Sequence, residues 1–148
     1  MSTPSRLLLL DTNIVIFLVR GGPLGQTIDR RFQLRARPER PPVSVVTLGE
    51  ALAFARQRGW GAARIERLRE LLRELVPVNL NSQPVLERYA EISEFLRRNG
   101  RTLSDNDVWI AACASAAEAT LLTTDRDFDP LAGQYLDRVW IDPRNPGT

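Results

Sequence analysis

Four carboxylates mark this sequence by where they fall: Asp11, Glu50, Asp107 and Asp125. Asp11 ends the apolar run Leu7-Leu8-Leu9-Leu10, Glu50 follows Val43-Ser44-Val45-Val46, and Asp125 follows Thr120-Leu121-Leu122-Thr123-Thr124. Asp107 lies one turn into the helix predicted to feed that last strand. Each acid taken alone has a local reading as a helix cap. Asp11 can N-cap a helix, Thr47-Leu48-Gly49-Glu50 fits a capping box, and Ser104-Asp105-Asn106-Asp107 is a weaker version of one. Asp125 and Asp127 suit a helix N-terminus. Capping does not explain why the four converge on the carboxyl edge of a parallel sheet, where open α/β folds place their ligands. Crowded carboxylates repel unless a cation joins them. Oxygen-only donors select Mg²⁺ or Mn²⁺, and such ions typically handle phosphates.

What is missing narrows the chemistry further. The 148 residues contain no histidine, which excludes Ser-His and Cys-His nucleophiles, imidazole bases and the usual zinc sites. They contain no lysine either, so all 20 basic residues are arginine. Walker-type phosphate binding, Schiff-base chemistry and a kinase-like Lys–Glu pair are out. The single cysteine, Cys113, allows no internal disulfide and fits a reducing compartment. A net charge of +2 does not by itself imply nucleic acid, but the arginines cluster, and arginine suits bidentate phosphate contacts.

The elements that must position the acids follow from periodicity. Leu7 to Leu10 read as a strand buried on both faces, continued from Thr12 into a helix that stops at Gly21-Gly22-Pro23. A helix over about 24–34 places Ile28 and Phe32 inward, and Pro38, Pro41 and Pro42 mark a loop. Val43 to Val46 are a second strand, with a helix from Thr47 to about Arg58. A further helix runs over about 62–75. Val76 to Leu80 form a short strand whose proline suggests an edge, followed by a helix over about 83–98. Ser104 opens the next helix, Thr120 to Thr124 are the fourth strand, and Val139 to Ile141 the last. Strands alternating with helices predict an α/β fold with a mainly parallel five-stranded sheet flanked by helices. We expect one domain over residues 1–148, with a core of about 7–141 and a tail over 142–148. A 43% apolar fraction, short apolar runs and no leader pattern predict a cytoplasmic protein without a membrane span.

The motifs taken together resemble those of the PIN-domain nucleases: Asp11-Thr12-Asn13 after an apolar strand, Thr47-x-x-Glu50, Asp107-Val108-Trp109-Ile110-Ala111-Ala112, and Thr123-Thr124-Asp125-Arg126-Asp127-Phe128. Their spacing is most similar to the VapC-type toxins of bacterial toxin–antitoxin pairs, over about residues 7–141. The resemblance implies a Mg²⁺- or Mn²⁺-dependent endoribonuclease that leaves 5′-phosphate and 3′-hydroxyl ends. It assigns catalysis to Asp11, Glu50, Asp107 and Asp125, with Asp11, Asp107 and Asp125 holding the metal. Thr12, Asn13 and Thr123 match the supporting polar positions, with Asp105 and Asp127 as neighbouring acids. It further implies a homodimer and a cognate antitoxin protein. The rival readings are a housekeeping PIN nuclease of RNA maturation and a catalytically dead PIN-like binding module.

Several residues carry two readings. Arg30, Arg31, Arg56 and Arg58, with Arg64 and the basic stretch to Arg40, either track an RNA backbone or form a solvated surface with ion pairs. Trp60, between two glycines, either stacks on a base or packs against a neighbouring helix or a second copy. Trp109 and Cys113 are structural. The Ile65-to-Leu75 face is core, dimer contact or both.

Overall fold

A computed structural model of the chain describes residues 7–147; residues 1–6 and 148, the ends of the expected domain and tail, lie outside the described residues. The order is β1 (Leu8–Leu10), α1 (Thr12–Arg20), α2 (Pro23–Phe32), β2 (Pro42–Ser44), α3 (Val45–Gln57), α4 (Ala62–Arg73), β3 (Val76–Val78), α5 (Gln83–Arg98), α6 (Asp105–Ala116), β4 (Thr120–Thr123), a 3-10 turn (Arg126–Leu131) and β5 (Asp137–Trp140). Every ladder is parallel, as the strand–helix alternation predicts.

The expected five-stranded sheet is divided. One sheet has the order β1-β4-β5 and the other pairs β2 with β3. β2 runs beside β1 without sharing a ladder with it. The cause lies in β2 itself. Pro41 and Pro42 have no amide proton, which leaves a three-residue strand too few donors for two neighbours.

The leucine run behaves as strand geometry requires. Leu8 and Leu10 enter one core, with α1, α2, α3 and α4. Leu9, between them, enters the other, with α5, α6 and Phe128. Side chains alternate across the sheet, so one strand serves both cores. At the first core α2 crosses α1 so closely that a Cβ on Gly25 would lie 2.1 Å from the Phe17 carbonyl oxygen. Only glycine fits there.

Two stretches differ from expectation, the first of them at the site. Val45 and Val46 are β-branched, yet they begin α3 rather than end β2. Ser44 sets that start, its hydroxyl accepting from the Val46 amide at 3.1 Å. Thr47 and Glu50 are therefore inside the helix and form no capping box. In the last stretch, residues 142–147 make turns, and Arg31 Nη1 donates to the Pro146 carbonyl at 3.0 Å.

Candidate active site

β1 and β4 are ladder neighbours in register, Leu10 opposite Leu122, so the residues just past them emerge side by side. Asp11 leaves β1, and its amide still donates to the Leu122 carbonyl at 3.0 Å. The carboxylate is 4% exposed. Its Oδ1 accepts from the Thr12 amide at 2.8 Å and its Oδ2 from the Thr123 hydroxyl at 2.7 Å. Thr123 Oγ1 in turn accepts from the Asp125 amide at 2.9 Å. One buried hydroxyl thus clamps the ends of two strands.

α3 brings in Glu50. The Thr12 hydroxyl lies 2.7 Å from Glu50 Oε1 and 3.0 Å from Thr47 Oγ1. A hydroxyl has one proton and a carboxylate only accepts, so Thr12 donates to Glu50 and accepts from Thr47. Asn106 Nδ2 donates to Glu50 Oε2 at 3.1 Å. Both oxygens of Glu50 are therefore held, from α1 and from α6.

α6 supplies Asp107. The Ser104 hydroxyl caps the helix by accepting from the Asp107 amide at 3.2 Å, and in the first turn the Asp107 carboxylate lies close to that of Asp125. Asp125 caps the 3-10 turn, with its Oδ1 accepting from the Asp127 amide at 2.8 Å. One oxygen from each of Asp107, Asp125 and Asp127 lies within 4.8 Å of the others. Opposite oxygens around a small cation at about 2.1 Å are about 4.2 Å apart, so this all-oxygen donor set fits Mg²⁺ or Mn²⁺ with a small adjustment.

Asp11, Thr12, Asn13, Glu50, Asn106, Asp107 and Asp125 line one open cleft of about 450 Å³, together with Ile16, Ala53, Phe54 and Gln57. Its electrostatics are those of crowded acids. Burial pushes the Asp11 carboxyl up to about 6 against the pull of its Thr123 and Thr12 hydrogen bonds, with Asp107 and Asp125 adding to the rise. Asp107 is also pushed up to about 6, first by burial and then by Asp125, Glu50 and Asp127, against the hydrogen bond with Ser104. Asp127 is raised chiefly by the charge of Asp125. Three acids with raised proton affinity crowd one sheet edge, a repulsion that a bound cation would relieve.

The structure thus brings Asp11, Glu50, Asp107 and Asp125 together, with Thr12 and Thr123 as their hydrogen-bonding supports. Asn13 is more loosely tied, its amide 3.5 Å from Thr124 Oγ1. Asp127, expected as a neighbour, belongs to the tight trio, whereas Asp11 lies outside it. Asp105 is exposed and lines neither the cleft nor the trio. Among the arginines, Arg30, Arg31 and Arg56 line no part of the cleft. Arg58 sits beside it, 5.0 Å over the Phe54 ring. Asn106 was missed by the sequence reading; its signal was a polar residue preceding Asp107 in a helical first turn. Trp109 stacks on Tyr89 at 3.8 Å and Cys113 is fully buried, both structural. No helix among the described residues is long and apolar enough to cross a membrane.

Comparison with known proteins gives these features a context. A model of the PIN domain matches residues 8–134. The chain is 31% identical over 118 residues to Ribonuclease VapC1 of Haemophilus influenzae, covering 78% of this chain and 84% of that one. It is 30% identical over 139 residues to Ribonuclease VapC5 of Mycobacterium tuberculosis, covering 90% and 93%. The fold is similar to a chain of VapBC2 from Rickettsia felis, solved bound to a promoter DNA fragment. That match has a TM-score of 0.77 and 22% identity, and covers 90% and 97% of the two chains.

Proposed function

The chain belongs to the PIN-domain family, and from that premise we propose that it is a Mg²⁺- or Mn²⁺-dependent ribonuclease, the toxin of a toxin–antitoxin pair. One observation carries the chemistry: Asp11, Glu50, Asp107 and Asp125 line a single cleft in a chain with no histidine and no lysine. Curated relatives named as ribonucleases, matched over most of their length, support the substrate class.

Asp107 and Asp125 would hold the cation, with Asp127 as a third donor and Asp11 completing the negative field from the buried side. When bound, the cation lowers the pKa of water and offsets charge building on the phosphate. Glu50, fixed through both oxygens by Thr12 and Asn106, keeps a free lone pair on each and orients the attacking water. Thr123 holds Asp11 and the Asp125 backbone in mutual register. The retained acids argue against a catalytically dead module. The proposed partner is an antitoxin, a reading supported by structural neighbours solved as VapBC complexes.

The test is cleavage of end-labelled RNA with Mg²⁺ or Mn²⁺ by wild type, Asp11→Asn and Asp107→Asn. We expect metal-dependent cuts that fall by roughly a thousandfold in either variant. Cutting that survives both substitutions would assign the activity to another site or another protein. Growth arrest on expression, relieved by the product of an adjacent reading frame, separates a toxin from a housekeeping nuclease.

A further inference from the structure

Around Phe54 the surface changes sign. The Phe54 ring lines the acid cleft and meets Trp60 edge-on, with centroids 5.9 Å apart at 84°. Beyond Trp60 lies a second depression of about 600 Å³, lined by Arg20, Arg58, Arg64, Arg67 and Trp60, with small residues between them. Four guanidinium groups line it and no carboxylate does. Three of them pack on the aromatic pair: Arg20 and Arg58 lie 5.4 and 5.0 Å from the Phe54 centroid, and Arg64 lies 5.1 Å from that of Trp60.

Nine of the other described arginines sit in ion pairs. On α4 and α5, Arg69, Arg73, Arg88, Arg97 and Arg98 each pair with a glutamate on their own helix. Arg35, expected in the basic stretch, pairs with Asp29. No ion pair involves Arg20, Arg58, Arg64 or Arg67 among the described residues. Stacking on a ring restrains a guanidinium and leaves its N–H edge free for phosphate oxygens. Trp60 sits in the turn between α3 and α4, half-exposed, where the left-handed Gly59 (φ +66°) lets the chain reverse.

We propose that this depression binds the single-stranded RNA flanking the cleavage point, with Trp60 and its Arg64 cover stacking an unpaired base and Arg20, Arg58, Arg64 and Arg67 taking successive phosphates. The inference rests on the ribonuclease reading of the neighbouring cleft and gives it a strand path. A polyanion cannot be held by carboxylates, and even a bound cation neutralises few of them. Phosphate affinity must come from elsewhere, and Phe54 joins the cleft to a neighbouring depression lined by four arginines and no carboxylate. Arg30, Arg31 and Arg56 are not part of this path.

The test is fluorescence anisotropy with labelled oligouridylate in EDTA, across a salt series. It compares wild type with Arg58→Ala/Arg64→Ala, Trp60→Ala, Trp60→Phe and the α5 control Arg88→Ala/Arg97→Ala. The arginine pair variant should bind about tenfold or more weakly, with a shallower salt dependence by roughly 0.7 per lost phosphate contact. Trp60→Ala should lose about five- to a hundredfold with the salt slope unchanged, and Trp60→Phe should recover most of it. If Trp60→Ala unfolds, the arginine variant decides the question. Affinity in that variant within twofold of the α5 control overturns the strand path. So does RNA binding unchanged in Trp60→Ala while sedimentation shows a dimer becoming a monomer, which assigns the patch to a second copy. Chelation separates the two claims. RNA bound through these residues but never cut on adding Mg²⁺ defeats the nuclease reading alone. Metal-dependent cutting with unaltered affinity in every variant defeats the strand path alone.

Discussion

The acid cleft and the arginine depression are neighbours that share an aromatic wall and nothing else. One gathers carboxylates with no cation among its lining residues, and the other gathers guanidiniums with no anion. Elsewhere on α4 and α5, opposite charges sit one turn apart and offset each other, the arrangement that costs least in a solvated helix. Folding alone would favour the same near Phe54, where Arg20 and Arg58 stand on the ring that walls the cleft. Instead the arginines turn onto ring faces and the acids turn onto hydroxyls and amides. Segregated charge of this kind suits a receptor better than a structural role. The cleft calls for something positive and the depression for something negative, and a cation on a phosphodiester strand supplies both.

The sharpest way to break the acid side is Thr123→Val, which keeps the shape and removes the shared hydroxyl. Asp11 Oδ2 then has no donor in a site that is 4% exposed, and the Asp125 amide has no acceptor. We expect a loss of about 1–3 kcal/mol in denaturant melts. The Asp11 carboxyl should rise further above its present value, because the Thr123 hydrogen bond is one of the contacts that lower it. Affinity in the arginine depression should not change. A variant as stable as wild type would mean that the clamp carries no weight.

A second, intermediate effect concerns pH in metal-free protein. Asp11 and Asp107 have folded values near 6 against an ordinary 3.8. Between those values the folded chain binds more protons than the unfolded chain, so their contribution to stability is present below about pH 3.8 and lost as pH rises through 6. Stability in EDTA should therefore drop across that window, and Asp107→Asn should flatten part of the slope and raise Tm at pH 7 by roughly 2–4 °C. Excess Mg²⁺ should reverse the trend, because the cation requires ionised carboxylates. A pH-independent Tm in EDTA would contradict the crowding described for the cleft.

The smallest effect belongs to Asn106→Ala. It frees one oxygen of Glu50 while Thr12 keeps the other, so we expect cleavage slower by about tenfold, with little change in melting temperature or RNA affinity. A loss as large as that of Asp107→Asn would move Asn106 from a positioning role to direct contact with the substrate.

Much of this arrangement was legible in the sequence because it rests on periodicity and strand ends. The unbroken Leu7-to-Leu10 run announced a strand buried on both faces, although β1 ends its ladder rather than centring it, and placing acids after strands one, two and four was enough to bring them to one edge. The misreadings were local contests between signals. At Val45 and Val46 β propensity lost to the Ser44 cap, which moved Thr47 and Glu50 into a helix and removed the capping explanation for Glu50. Pro41 and Pro42 announced a loop but not a divided sheet, since the effect of a missing amide depends on which strand lies alongside. The preference of the trio for Asp127 over Asp11 follows from the tightness of the 3-10 turn, which periodicity does not report. Asn106 and the grouping of Arg58, Arg64 and Trp60 with Arg20 and Arg67 were hidden for a different reason. Both depend on side chains from distant helices meeting across the surface, and single arginines look alike in sequence whether paired or not.

The pairing of β1 with β4 has a consequence for how the protein comes into being. Leu8 lies opposite Thr120, and the hydrogen bond between Thr123 and Asp11 closes a span of 112 positions. The strand made first must wait for one made near the end before it has its ladder neighbour, and such long loop closures are slow. During synthesis at about 5–20 residues per second, the first four helices can gather around one face for roughly 3–10 seconds before the cleft has its second wall. A chain cut short before Asp125 has an apolar strand with an open edge and one aspartate at its tip. The clamp that makes the acids a site therefore also dates it: the cleft belongs to the finished molecule and to no earlier stage of its making.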